Sequence, residues 1–216
     1  MINTILMKLR PVAGGFDPVS AGGARRYADY EWDHFSPGLV DELELRVGGL
    51  AGKRVLDLGG GPGQYAIEFA RRGARVTWHD ISRNYLAVAR DRAAAQGAEL
   101  EFNLGYLEEA ARYLDQPFDF IFNRICWYYC VNDAAFARLV HGLMRPGGQA
   151  YIDNFIHQAP GRFKPRYWLN AMAGVKIGHP VPPPGRLEKL FRSFGDLDQE
   201  VLQRTPRSER LLLTRR

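Results

Sequence analysis

Two acids and a run of glycines carry the first chemistry legible in this chain. In Arg54-Val55-Leu56-Asp57-Leu58-Gly59-Gly60-Gly61-Pro62-Gly63-Gln64 an apolar run ends in an acid, and Gly59, Gly61 and Gly63 follow at alternate positions. Glycine lets a turn take positive φ and lets backbone approach a ligand with no Cβ in the way. A carboxylate beside such a loop can meet an ammonium group in a charge-assisted hydrogen bond. The N-terminus of a following helix suits a ligand carboxylate. Ala66, Ile67, Phe69 and Ala70 supply helical spacing, so the stretch reads as strand, tight loop, helix. A second strand, Ala74 to Ser82, ends in Asp80 with Ile81 behind it. Ligands of open α/β sheets bind outside the carboxyl ends of strands. Asp80 is therefore placed to accept two neighbouring hydroxyls. It could instead cap the next helix, a role for which Ser82 competes.

The glycine spacing selects among ligands. A dinucleotide loop wants G-x-G-x-x-G. Counted from Gly59, that register puts Gln64 where the third glycine belongs. The pattern present, D-x-G-x-G-x-G, resembles the first motif of the class I S-adenosylmethionine (SAM) methyltransferases. The resemblance implies SAM as cofactor. It implies that Asp57 lies near the cofactor's ammonium, that Gly59, Gly61 and Gly63 line its methionine moiety, and that Asp80 and Ile81 meet its ribose side.

Three further landmarks follow in family order. Leu100 to Leu107 reads as a short strand and turn through Gly105. The family usually places an acid after that glycine to reach the adenine; here Tyr106 stands there. Backbone groups of Tyr106 and Leu107, the Glu108 side chain, or a stacked Tyr106 ring are the alternatives. Phe118 to Tyr129 opens as an apolar strand suited to burial on both faces, and Asn123 falls at its end, where a carbonyl or side chain could meet the ammonium. The Asn/Asp-Pro-Pro-aromatic box of methylases acting on amide or base nitrogens is absent, since Arg124 and Ile125 follow Asn123. Leu143 to Ile152 reads as a helix end, a Pro146-Gly147-Gly148 turn and a fifth strand.

Substrate choice should lie outside these motifs. Ala21 to Leu50 reads as helical, and Tyr27, Tyr30 and Trp32 are candidates for a lid or for plain amphipathic packing. Asp153 to Gly185, rich in Pro, Gly and aromatics, is longer than a usual αβ connection and suggests a lid or binding loop. A helix from Gly185 to Phe194 and two strands, Asp198 to Arg204 and Glu209 to Thr214, close the chain. A hydroxyl acceptor benefits from a general base. Among His34, His79, His141, His157 and His179, the first choice is His157, just past the fifth strand, and the second is His179. His141 reads as structural and His79 as packing on the cofactor side. Asp153, Asn154, Tyr128 and Tyr129 could orient an acceptor.

These elements predict an α/β fold: a Rossmann-like three-layer sandwich with a mainly parallel seven-stranded sheet and an antiparallel C-terminal hairpin. One domain over 1–216 is expected, with a helical lid at 1–50, a SAM-binding core at 53–152, an acceptor-side loop at 153–185, and the last helix and hairpin at 186–216. The chain has 216 residues, 46% of them hydrophobic, which suits one such domain. No apolar run is long enough to span a membrane. Met1 to Arg10 lacks the long apolar region of a signal peptide, so a cytoplasmic enzyme is expected. Cys126 and Cys130 are too few for a disulfide framework, read as buried thiols, and no metal is expected. The net charge of +5 and the run Arg162-Phe163-Lys164-Pro165-Arg166-Tyr167-Trp168 allow a nucleic acid partner, but a small-molecule acceptor is favoured, with oxygen ahead of nitrogen or carbon. The other readings are an RNA or tRNA methyltransferase and a non-catalytic SAM-fold subunit.

Overall fold

Seven apolar segments pair into one sheet in the computed structural model, which describes residue 17 and residues 19–155 and 182–216. The strands are β1 (Arg54–Leu58), β2 (Arg75–Asp80), β3 (Leu100–Leu104), β4 (Phe118–Arg124), β5 (Met144–Phe155), β6 (Leu197–Thr205) and β7 (Ser208–Arg215). Their order is β3-β2-β1-β4-β5-β7-β6. β1 to β5 run parallel. β7 pairs antiparallel with both β5 and β6. The strand order reverses between β1 and β4, and such a switch point opens a crevice at the carboxyl ends.

Helices cover both faces: α1 (Ala21–Asp33), α2 (Gly38–Arg46), α3 (Gln64–Arg71), α4 (Arg83–Ala95), α5 (Asp133–Leu143) and α6 (Arg186–Phe191). Side chains alternate across a strand, so each central strand feeds two cores. Val55, Phe120, Phe122, Tyr151 and Leu212 pack with α2, α3 and α4 residues such as Leu43, Phe69 and Ala89. Leu56, Ile121, Ile152, Leu211 and Leu213 pack with Phe136 and Val140 of α5 and Phe191 of α6. Side-chain oxygens of Ser20, Ser82 and Asn132 cap α1, α4 and α5.

Three details differ from the sequence expectation. The N-terminal helical stretch is two helices, interrupted between Asp33 and Gly38, where Pro37 lacks the N–H a continuing helix needs. The last helix is shorter than expected, spanning Arg186–Phe191. The Pro146-Gly147-Gly148 segment is not a turn ahead of β5 but a bulge within it. Met144 already pairs with Phe118, and the next pair is Gln149 with Phe120. Gly147 has φ 74°, and a Cβ on Gly148 would sit 2.8 Å from the carbonyl oxygens of Arg145 and Phe118. The glycines let the extra residues fold back onto β4.

Candidate active site

The glycine loop joins β1 to α3 and is held from below by β2. The amides of Gly59 and Gly60 donate to the carbonyl of His79 at 2.8 and 3.3 Å. Gly59, Gly61 and Gly63 have φ of 87°, 49° and 87°. An equally tight demand falls on a glycine outside that alternate pattern. A Cβ on Gly60 would lie 2.3 Å from Cδ1 of Trp78 and 3.0 Å from Oδ2 of Asp57. Trp78 is fully buried in β2, and its indole N–H donates to the Gly61 carbonyl at 3.1 Å. An indole from the neighbouring strand therefore sets the loop's height.

Two carboxylates flank the loop. Asp57 is 3% exposed. Ala66 of α3 donates its backbone N–H to it, while its Oδ2 is buried with no hydrogen-bond partner. Burial, and then the charge of Asp80, push its carboxyl up to about 8. Asp80 accepts the Gly61 N–H at 3.0 Å on Oδ2 and the Ser82 N–H at 2.9 Å on Oδ1. Burial raises it to about 6, against the pull of those amides. Ser82, not Asp80, caps α4, accepting from the Tyr85 N–H.

These groups line a cleft of about 850 Å³. Asp57, Gly59, Gly61, Asp80, Ile81, Tyr106 and Leu107 all reach it; Gly63 and Asn123 do not. Gly63 lies against α4, where a Cβ would come 2.9 Å from Ala89. Asn123 points to the opposite face of β4, donating to the Leu58 carbonyl at 2.9 Å and to Cys126 Sγ at 2.8 Å. Strand alternation puts its neighbour Arg124 in the cleft instead. Asn154 likewise turns away and donates to the Pro182 carbonyl. Glu108 is spent on the Val131 N–H. The Tyr106 carbonyl is bonded by His79 Nε2 at 2.8 Å, and its N–H donates to Glu109. His79 is thus a buried support, and burial lowers its pKa. His141 pairs with Asp196 at 2.8 Å, away from the cleft. His157, His179 and Arg162 to Trp168 lie outside the described residues.

The other half of the cleft is a row across four strands. Arg124 of β4 pairs in register with Asp153 of β5, Asp153 with Arg210 of β7, and Arg210 with Gln203 of β6. All four line the cleft. Paired residues share a face, so this polar row sits above the apolar row Phe122, Tyr151, Leu212. Nε of Arg124 and Nε of Arg210 approach Asp153 Oδ2 at 3.4 and 3.6 Å. Arg124 also lies over the Tyr65 ring, 5.2 Å from its centroid. Beyond it Ile125, a β-branched residue, takes φ 55°, a strain of about 1–3 kcal/mol. Its N–H donates to the Asp153 carbonyl at 2.7 Å.

From α1, Tyr27, Tyr30 and Glu31 reach over the cleft, but Trp32 does not. Glu31 accepts from Gln64 Nε2 at 3.0 Å and lies 3.6 Å from Arg124. Tyr128 and Tyr129 also line the cleft. Sequence reasoning did not find Gly60, Trp78, Glu31, Arg124, Arg210 or Gln203.

Residues 55–148 match the model of a methyltransferase domain family. The chain is 34% identical over 167 residues to the ubiquinone biosynthesis O-methyltransferase of Aeromonas salmonicida, covering 75% of this chain and 68% of that one. The chain belongs to the class I SAM-dependent methyltransferases. Among solved structures, this methyltransferase resembles a putative SAM-dependent methyltransferase of Methanococcus maripaludis (TM-score 0.65, 15% identity, covering 91% of this chain and 93% of that one). It also resembles an O-methyltransferase of Bacillus cereus crystallised with S-adenosylhomocysteine (SAH) (TM-score 0.61, 18% identity, 91% and 90%). The residues present fit the SAM of the family. Asp57 offers an unpartnered buried carboxylate oxygen suited to an ammonium, and a Cβ on Gly61 would meet nothing within 4 Å, so the loop backbone faces open space.

The Trp78 strut gives the first prediction. Trp78→Phe strands the Gly61 carbonyl and should weaken SAH binding by about 1–2 kcal/mol, the cost of an unmade buried hydrogen bond. Calorimetry that finds wild-type affinity would show that the loop stands without the strut.

Proposed function

We propose that this methyltransferase moves a methyl group from SAM to a hydroxyl oxygen of a small acceptor. The observation that carries the reading is the cleft's second half. Beyond the glycine loop it is walled by Tyr30, Tyr65, Tyr128, Tyr129 and Phe155 and floored by the Arg124–Asp153–Arg210 row. Aromatic walls with a few convergent polar groups suit a small ring-bearing molecule. The relative from Aeromonas salmonicida carries O-methyltransferase in its name, which supports oxygen as the accepting atom.

In this reading Asp57 holds the ammonium, Gly59 and Gly61 pass beneath the methionine moiety with Gly63 turning the chain into α3, and Asp80 with Ile81 borders the ribose. Tyr106 and Leu107 border the adenine. Asn123 contributes from behind, by fixing the Leu58 carbonyl and Cys126. Bound SAM supplies a methyl carbon on a positive sulfur that leaves readily. The chain's task is to hold an acceptor oxygen in line with it, and such positioning alone supplies much of a rate enhancement. His157 remains the sequence-based candidate for a base. Residues 1–50 act as cover, 53–152 as SAM-binding core, 153–185 as acceptor-side loop and 186–216 as closing unit of one domain. Among the described residues no helix is long and apolar enough to cross a membrane and no acid, His and Cys cluster suits a metal. The two-cysteine composition accords with a cytoplasmic setting.

The test is calorimetric titration with SAH beside NAD. Micromolar SAH binding and no NAD binding are expected; the reverse would overturn the cofactor reading. Asp80→Ala should weaken SAH by about 1–3 kcal/mol, as for charged hydrogen bonds. Unchanged affinity would remove Asp80 from the ribose site. Methylation of amines but not of matched phenols would overturn the preference for oxygen.

A further inference from the structure

We propose that Asp153 is a catalytic residue, whose Oδ1 takes the proton of the acceptor hydroxyl while Arg124 and Arg210 hold the oxygen left behind. The inference rests on the O-methyltransferase reading above. Asp153 is 3% exposed yet lines the cleft. Both guanidiniums approach the same oxygen, Oδ2, at 3.4 and 3.6 Å. Oδ1 has no hydrogen bond among the described residues. Both guanidiniums make their nearest approach to Oδ2, so Oδ1 is the oxygen assigned to the acceptor.

Its position suits the reaction. The Asp153 carbonyl holds the N–H of Ile125, and the next residue, Cys126, packs under Gly59, where a Cβ would be 2.3 Å from Sγ. Asp153 is thus tied through one short turn to the loop that borders the cofactor half of the cleft. The charged and titratable groups around it are Arg124, Arg210, Glu31, Tyr65 and Tyr151. Two guanidiniums within reach favour an oxyanion and oppose an ammonium, so a hydroxyl suits the place better than an amine. Burial raises the Asp153 carboxyl and the two guanidiniums pull it back, with the net change upward. A carboxylate held in that way is a better proton acceptor than one in water.

The step balances without further reagents. The acceptor O–H bond breaks and its proton goes to Oδ1. The acceptor oxygen bonds the methyl carbon as the C–S bond breaks, and that electron pair stays on sulfur. Negative charge moves from the carboxylate to the acceptor oxygen, both facing the same guanidiniums, so little charge separation is created.

A base matters most when the acceptor is a weak acid. Turnover of catechol and of the more acidic nitrocatechol is therefore compared in wild type and Asp153→Asn, with SAH affinity and melting temperature as controls. Asp153→Asn should lose at least about 100-fold with catechol, within the usual range for a general base, and less than about tenfold with nitrocatechol at neutral pH. SAH affinity should stay within threefold. Arg210→Gln should weaken nitrocatechol binding to the SAH-loaded protein about tenfold, read by its absorbance. Equal losses for the two acceptors would make Asp153 a structural ion-pair partner and overturn the proposal. So would turnover of neither by a wild type that binds SAH. Failure to bind SAH at all would instead sink the methyltransferase reading.

Discussion

Gly60→Val is expected to cost this protein SAH binding by more than about 3 kcal/mol, beyond the usual cost of overpacking a core. The glycine is not required for its φ, since Gly59, Gly61 and Gly63 take left-handed values and Gly60 does not. It is required because no carbon fits there. The added Cβ would sit 2.3 Å from Cδ1 and 2.5 Å from Nε1 of Trp78. That indole is fully buried and packs beside Phe102 at 5.7 Å between ring centroids. It cannot retreat without breaking its bond to the Gly61 carbonyl. The loop must lift instead, and Asp57 Oδ2, 3.0 Å from the same point, is displaced with it. Calorimetry with SAH, beside a thermal melt, checks this. A variant that melts normally and binds within threefold of wild type would show that the loop does not seat the cofactor.

The contrast between Gly60 and its neighbours marks how far the sequence could be read. The strand–loop–helix of Asp57 to Gln64, the acid closing β2 and the hairpin at the end of the chain are local patterns. Their order along the chain carries the family resemblance, and that resemblance implies a seven-stranded sheet with an antiparallel last pair. Gly60 has no local signature beside the alternate glycines, because the reason for it lies on β2, in Trp78. Asn123 falls at the end of β4, where a carbonyl or side chain could meet the ammonium, but alternation turns its side chain toward Leu58 and Cys126 and brings Arg124 into the cleft. The row Arg124–Asp153–Arg210–Gln203 is assembled by three strand registers. Register between segments distant in sequence has no local signature. Glu31 belongs to the same class: it reaches Gln64 and Arg124 only because α1 docks against α4, with Arg92 pairing to Asp29 at 3.0 Å.

The acid pair beside the loop, Asp57 buried and Asp80 half-buried, should make cofactor affinity depend steeply on pH. Asp57 is pushed up to about 8, first by burial and then by the charge of Asp80. Asp80 reaches about 6 through burial, opposed by the amides of Ser82, Gly61 and Ile81. In the free protein Asp57 is therefore mostly protonated near pH 7. An ammonium beside Oδ2, as proposed above, would favour the charged form, so binding is expected to release a proton. By linkage, SAH affinity should rise as pH rises from 6 toward 8, by at most about tenfold per unit for one proton, and level off above. The stability of the unliganded protein should move the other way. A carboxyl whose folded pKa lies above its unfolded value holds its proton more tightly when folded. Its contribution is complete below the unfolded value near 4 and is lost as pH climbs through 8. Calorimetry in buffers of different ionisation enthalpy counts the released proton directly. Asp57→Asn cannot ionise, so it should bind more weakly at pH 8 and lose most of the slope. A wild-type affinity that stays flat from pH 6 to 8, with no proton released, would mean that Asp57 does not face the ammonium. The carboxylate would then be a buried support for the α3 N-terminus, where the Ala66 N–H already meets it, and the ammonium would have to be held elsewhere along the cleft.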